Sequence, residues 1–321
     1  MLIVGANCIV YSIFKFLLTN NFLNQLTISN SIMEATKPSQ SKAKTNKKNV
    51  KGIQNASLVL LGCFIVAVTL FLFFFGSPSH FDAESFEGQT PLWGLSVWNI
   101  DTAHPIDLVG TIFKGGIIVP ILQTLFLTVI VLSVERWVAL SSAKGSGSIA
   151  KFVANVKACL AKNDIAGAQA LCKKQKGSVA AVVAAALVRY EEMDKNTVLS
   201  KEQKIATLQK EVEEATALEM PSLQQNLPIV ATMTTLGTLV GLLGTVIGMI
   251  KSFQALSNSG APDSAALSTG ISEALVNTAF GIATGAFAVI SYNFYTNKID
   301  NLTYAIDEIG FSIVQTFAAT H

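Results

Sequence analysis

Four stretches almost free of charge, each long enough to cross a bilayer as a helix, constrain this chain more than any other feature. They cover residues 58–75, 114–134, 227–252 and 270–296. A helix needs about 17–25 apolar residues to span the hydrocarbon core, and each stretch supplies them. Charged residues make up only 14% of the 321 residues, against about a quarter in a soluble domain. The expected fold is therefore an all-α polytopic membrane protein with four transmembrane helices. The fourth stretch carries one acid, Glu273, near its start.

Charge asymmetry predicts the orientation. Ahead of the first span lie Lys37, Lys42, Lys44, Lys47, Lys48 and Lys51, opposed by Glu34 alone. Between the first two spans stand Asp82, Glu84, Glu87, Asp101 and Asp107, with no basic residue before Lys114. Lysine and arginine accumulate on the cytoplasmic side. The expectation is a basic cytoplasmic N-terminus (33–57), an acidic outer segment (76–113) and a large inner segment (135–226). A short outer loop (253–269) and a cytoplasmic C-terminus (297–321) complete the path. The lysine run reads as a positive-inside determinant that also favours anionic lipid, and not as a nucleic-acid site.

Residues 135–226 carry helical spacing of apolar residues and few strand signals. In "SKEQKIATLQKEVEEATALEM", Ile205, Leu208, Val212 and Ala215 share one face and charges occupy the other. This predicts a helical cytoplasmic domain whose long helices extend from the membrane. Pro221 and Pro228 are expected to kink or break the junction with the third span. The opening "MLIVGANCIVYSIFKFLLTN" lacks a basic n-region and a cleavage site. Residues 1–32 therefore read as an upstream extension, with translation expected from Met33.

The four cysteines, Cys8, Cys63, Cys159 and Cys172, form no close pair, and the three histidines stand apart from them. This excludes a zinc site or a disulfide framework. No phosphate loop, dinucleotide fingerprint or nucleophile elbow occurs. Nothing calls for a metal or cofactor, and an enzyme is not expected.

The third span holds the most telling pattern. In "LVGLLGTVIGMIKSF", Gly241, Gly244, Thr245 and Gly248 recur at three- and four-residue steps and continue back to Gly237 and Thr234. The fourth span repeats the design with Ala274, Thr278, Gly281, Gly285 and Ala288, beside Glu273 and Asn277. Small faces let membrane helices approach closely. For the glycines, helix packing is the favoured reading. For Thr245 and Thr278, packing and pore lining both remain open. Glu273 favours an ion path, because a carboxylate inside a span costs about 2.5–3.5 kcal/mol at the helix centre. Asn277 extends the polar stripe one turn inward.

"LGTLVGLLGTVIGMIKSF" followed by "LSTGISEALVNTAFGIATGAFAVISYNFYTNKID" resembles the membrane signature of the ExbB/TolQ/MotA proton-channel family, and its ExbB branch most of all. "VERW", with Glu135 and Arg136 at the cytoplasmic membrane edge, resembles the family's charged helix end. The resemblance implies that Thr245 and Thr278 line a pore with Glu273 and Asn277 on the proton pathway. It also implies that Gly237, Gly241, Gly244, Gly248, Gly281 and Gly285 pack the helices of a ring. The ring would be a homo-oligomer, a pentamer in the family, in the bacterial inner membrane. Its partner would be an ExbD-like single-span protein whose membrane aspartate carries the proton, and a TonB-like protein would receive the work. The first span and its acidic outer segment, with Trp93 and Trp98, depart from the three-span family plan and are expected to form an outer aromatic belt. The alternatives are a TolQ-like or a gliding or flagellar stator subunit and, from another class, a passive membrane scaffold without ion flux.

Overall fold

The computed structural model describes residues 56–82, 105–258 and 264–320. The basic N-terminal run, the possible start at Met33, and Trp93 and Trp98 lie outside the described residues. Among the described residues the chain is entirely helical apart from one antiparallel bridge, Phe81 to Pro105. Four helices are long and apolar enough to cross a membrane.

The first, α1 (Ala56–Leu70), runs on through one turn of π-helix (Phe71–Phe75). Its flank is apolar on all sides and mostly exposed, as befits a helix facing lipid. The second span differs from its expected outline. A seven-residue helix, α2 (Leu108–Lys114), precedes an elbow at Gly115–Ile117, and only then does α3 (Ile118–Lys144) begin. Gly116 takes φ +70, where a side chain would be strained, so the glycine pair divides a run that otherwise reads as one apolar segment.

Four helices follow: α4 (Ile149–Ala161), α5 (Ile165–Gln175), α6 (Gly177–Lys195) and α7 (Lys201–Gln224). Side-chain caps mark the starts of α5 and α7. Asp164 accepts from Gly167 N at 2.8 Å, and Ser200 and Gln203 form a reciprocal capping box. Then come α8 (Leu227–Asn258) and α9 (Ser264–Thr320). At 57 residues, α9 is about 85 Å long. Its first half pairs with α8 and its second half crosses the helical body. There Ile306, Ile309, Ile313 and Phe317 are fully buried against α4, α6 and α7.

Of the two prolines expected to disturb the junction of α7 and α8, Pro221 sits inside α7 without ending it. The break falls at Gln225–Asn226, where Asn226 takes φ +62, a conformation asparagine tolerates better than most residues. Pro228 is then the second residue of α8, in the first turn, where a missing N–H costs nothing. The break strands the carbonyls of Ser222 and Leu223, which a continuous helix would pair with the N–H groups of Asn226 and Leu227. Arg136 on α3 takes them over. Its Nη1 donates to both oxygens at 3.4 Å, while Nε and Nη2 donate to Glu135 at 2.6 and 2.5 Å. The guanidinium is fully buried. A buried cation is tolerable only when paired and hydrogen-bonded, and here it caps a helix C-terminus, the end that favours positive charge.

Candidate functional site

The site is built where α8 and α9 lie closest. Glycine makes that approach possible. A methyl placed on Gly241 would stand 2.9 Å from the Cα of Gly281, and one on Gly281 would stand 2.7 Å from the carbonyl oxygen of Gly237. Gly285 faces the Oγ1 of Thr238 and the carbonyl of Thr234, Gly248 faces the carbonyl of Gly270, and Gly244 is filled by the side chain of Asn277. Backbone therefore meets backbone at Gly241, Gly281, Gly248 and Gly285, and at Gly244 the space is taken by a side chain. Within one chain the six glycines Gly237, Gly241, Gly244, Gly248, Gly281 and Gly285 all face the seam between α8 and α9.

This seam sets the level of the two threonines. Gly244, which precedes Thr245, packs on Asn277, which precedes Thr278. The structure thus brings Thr245 and Thr278 to the same height on adjacent helices, both half-buried. Thr245 Oγ1 donates to the carbonyl of Leu242 at 2.6 Å, which spends its proton locally and leaves its acceptor capacity free. Thr278 Oγ1 is enclosed and has no hydrogen-bond partner.

One turn towards the start of α9 lies Glu273. Its side chain is 7% exposed, and its Oε1 accepts from Lys251 Nζ at 2.7 Å, the lysine side chain being 52% exposed. The same oxygen lies 2.7 Å from where a Cβ on Gly116 would stand, so the elbow can approach the carboxylate only as glycine. Asn277, fully buried, donates from Nδ2 to the carbonyl of Gly115 at 3.2 Å, and its Oδ1 has no partner. Glu273 and Asn277, four residues apart on one helical face, thus both meet the elbow before α3. Glu135 and Arg136 lie at the other end of α3, in the cap already described, and are not part of this cluster.

Lys251 escaped the sequence reading. The signal was present: within the helical residues 227–258 and 264–296, Lys251 and Glu273 are the two charges, and they are opposite in sign. The elbow contact had no comparable signal, since nothing local to Gly115–Gly116 announces a partner more than 150 residues away.

Ahead of the elbow, Asp107 N-caps α2 by accepting from Gly110 N at 2.8 Å, and also receives His80 Nδ1 at 2.6 Å. The hydrogen bond from the Gly110 backbone, then the contact with His80, holds its carboxyl below the usual aspartate range. In the helical body, burial pushes the Cys172 thiol up to about 11, which keeps it protonated and unreactive.

The profile of the MotA/TolQ/ExbB proton channel family matches residues 174–308. That stretch contains α6 to α8 and the membrane half of α9, and so the whole seam. Among curated relatives, the Tol-Pal system protein TolQ of Pseudomonas aeruginosa is 36% identical over 88 residues, 27% of this chain and 38% of that protein. The biopolymer transport protein ExbB of Helicobacter pylori is 37% identical over 81 residues, 25% of this chain and 56% of that protein. The ExbB of Salmonella typhimurium is 30% identical over 84 residues, 26% of this chain and 34% of that protein. The chain therefore spans between a third and just over half of the length of each.

Proposed function

We propose that the chain, whose residues 174–308 match the profile of the MotA/TolQ/ExbB proton channel family, is an ExbB-like proton-channel subunit of the bacterial inner membrane. In this reading several copies, five by analogy with the family, surround an ExbD-like partner whose membrane aspartate carries the proton. The N-terminus, the C-terminus and the helical body face the cytoplasm, and the His80–Asp107 region faces outward.

The observation that carries the reading is the common level of Thr245 and Thr278. Two hydroxyls at one height on adjacent helices form a polar step in an otherwise apolar seam. Thr245 offers an acceptor, and a rotamer change would turn Thr278 to the same side. Repeated around a ring, the step would hold a partner's carboxylate while it is charged and release it once protonated. A proton falling through about 150 mV yields roughly 3.5 kcal/mol, so repeated steps could drive movement of the partner helices. The work would pass to a TonB-like protein that opens outer-membrane transporters.

A TolQ-like role is the second reading, favoured by the nearly equal identities to TolQ and ExbB, 36% and 37%. The partner decides between them. Purification from the native membrane in mild detergent, with identification of what accompanies the chain, is the first test. A single-span protein with an aspartate in its helix supports the motor reading, and its outer domain names the branch. Thr245→Val and Thr278→Val are expected to abolish proton-driven function while leaving assembly intact. A passive scaffold would keep its function in both variants, or lose assembly with it.

A further inference from the structure

We propose that Lys251 is a tethered cation held on Glu273, in a pocket that also contains the unpaired amide oxygen of Asn277, and that it thereby keeps free Na+ out of the ion path. The claim about the ion path rests on the proton-channel reading, whereas the claim about the pocket stands on geometry alone.

Three side chains meet at the elbow before α3. Glu273 Oε1 lies 2.7 Å, and Lys251 Nζ 3.5 Å, from the position a Cβ on Gly116 would take. Asn277 Oδ1 lies 3.4 Å from the same position on Gly115. The carboxylate is almost fully buried and Asn277 wholly so. One oxygen of this pair, Asn277 Oδ1, has no partner although it is enclosed. A buried acceptor left unpaired beside a buried carboxylate is a place for positive charge. The ammonium of Lys251 supplies that charge to Glu273 at 2.7 Å and leaves the amide oxygen unused.

The lysine stands between the pocket and the outside. Its side chain is half exposed whereas that of Glu273 is 7% exposed, so an ion arriving from water meets the ammonium before it meets the carboxylate. A hard monovalent cation needs several oxygens in exchange for its hydration shell. Here it would have to displace a covalently tethered ammonium to reach them. A proton needs no such space, because it moves along hydrogen bonds between groups already in contact. Without Lys251, Glu273 and Asn277 would present a carboxylate and a free amide oxygen, four residues apart, to whatever small cation enters.

The test uses the chain purified with its native membrane partners. Thermal stability is measured in Na+ and in choline, and 22Na+ uptake and proton flux are measured in proteoliposomes. The wild type is expected to melt at the same temperature in both salts and to take up no Na+. Lys251→Met is expected to gain about 3 °C or more in Na+ and to take up Na+ at least tenfold above the wild type. Lys251→Arg, which keeps the charge, should behave as the wild type. In Lys251→Met with Glu273→Gln, the Na+ stabilisation should vanish. If Lys251→Met does not fold, Lys251→Gln is read in the same way. A neutral variant whose melting is indifferent to Na+ overturns the inference, and so does a wild type that Na+ stabilises. A wild type that conducts no protons, beside a Lys251→Met stabilised by Na+, overturns the proton-channel reading and leaves the pocket standing.

Discussion

The two ends of the membrane bundle each carry a buried charge, and they handle it in opposite ways. At the junction of α7 and α8, Arg136 is fully enclosed and makes four hydrogen bonds, two to Glu135 and two to stranded carbonyls of α7. At the elbow before α3, Glu273 is enclosed, its lysine is half exposed, and the amide oxygen beside it has no partner. In the first arrangement every guanidinium nitrogen is engaged, which suits it to holding a junction together. The second keeps a spare acceptor and a movable counter-charge, which ion chemistry requires. Both are charges in an apolar setting, and the difference in their partners separates a structural site from a candidate functional one.

The largest effect is expected where saturation is complete. Arg136→Ala removes the guanidinium from Glu135 and takes from the carbonyls of Ser222 and Leu223 the donor they share, and should cost about 3–5 kcal/mol, read as thermal unfolding of the detergent-solubilised protein. Adding Glu135→Ala should recover part of the loss. At the elbow, Lys251→Met should cost under about 1 kcal/mol, because the half-exposed lysine contributes as surface pairs do. Equal costs at the two ends would erase the contrast. Between these lies the seam itself. Gly241→Ala would set a methyl 2.9 Å from the Cα of Gly281, and an overpacked contact of this kind costs about 1–3 kcal/mol. A gain in stability there would mean that the two helices separate without penalty, and the common level of Thr245 and Thr278 would lose its support.

The spans, the amphipathic face of α7 and the glycine faces were all legible in the sequence, because helical periodicity is local. Leu208 is fully buried on the predicted face, and the spacing of Gly237, Gly241, Gly281 and Gly285 already specified a close approach. What stayed hidden depends on contacts between distant segments. The elbow at Gly115–Gly116 divides the second span because Glu273 and Asn277 lie against it, and no window around residue 115 contains them. Pro221 looked like a helix breaker, yet the left-handed turn at Asn226 takes that role, and Arg136 makes the turn tolerable from 86 residues away. The roles of Thr245, Thr278 and Glu273 could be suspected from their setting, whereas the lysine that occupies Glu273 became visible only once the two helices were side by side.

The smallest expected effect lies outside the bilayer and sharpens the contrast from a third position. Asp107 is neither buried like Glu273 nor enclosed like Arg136. It caps α2 from the surface through Gly110 N and receives His80 on its other oxygen. Its carboxyl titrates below the usual aspartate range, first because of the Gly110 hydrogen bond and then because of His80. A group whose folded pKa is depressed stabilises the fold above its unfolded pKa, and that contribution disappears as the pH falls through the folded value. The wild type should therefore lose a small increment of thermal stability as the pH is lowered from the ordinary aspartate range downward. Asp107→Asn, which keeps an acceptor for Gly110 but has no carboxylate to protonate, should lose less over the same interval. Melting curves of both proteins between pH 7 and pH 3 decide the matter. If the two curves run parallel, the Asp107 cap contributes nothing through its charge, and the segments are joined there by backbone contacts, the hydrogen bond from Ile106 N to the His80 carbonyl and the bridge from Phe81 to Pro105.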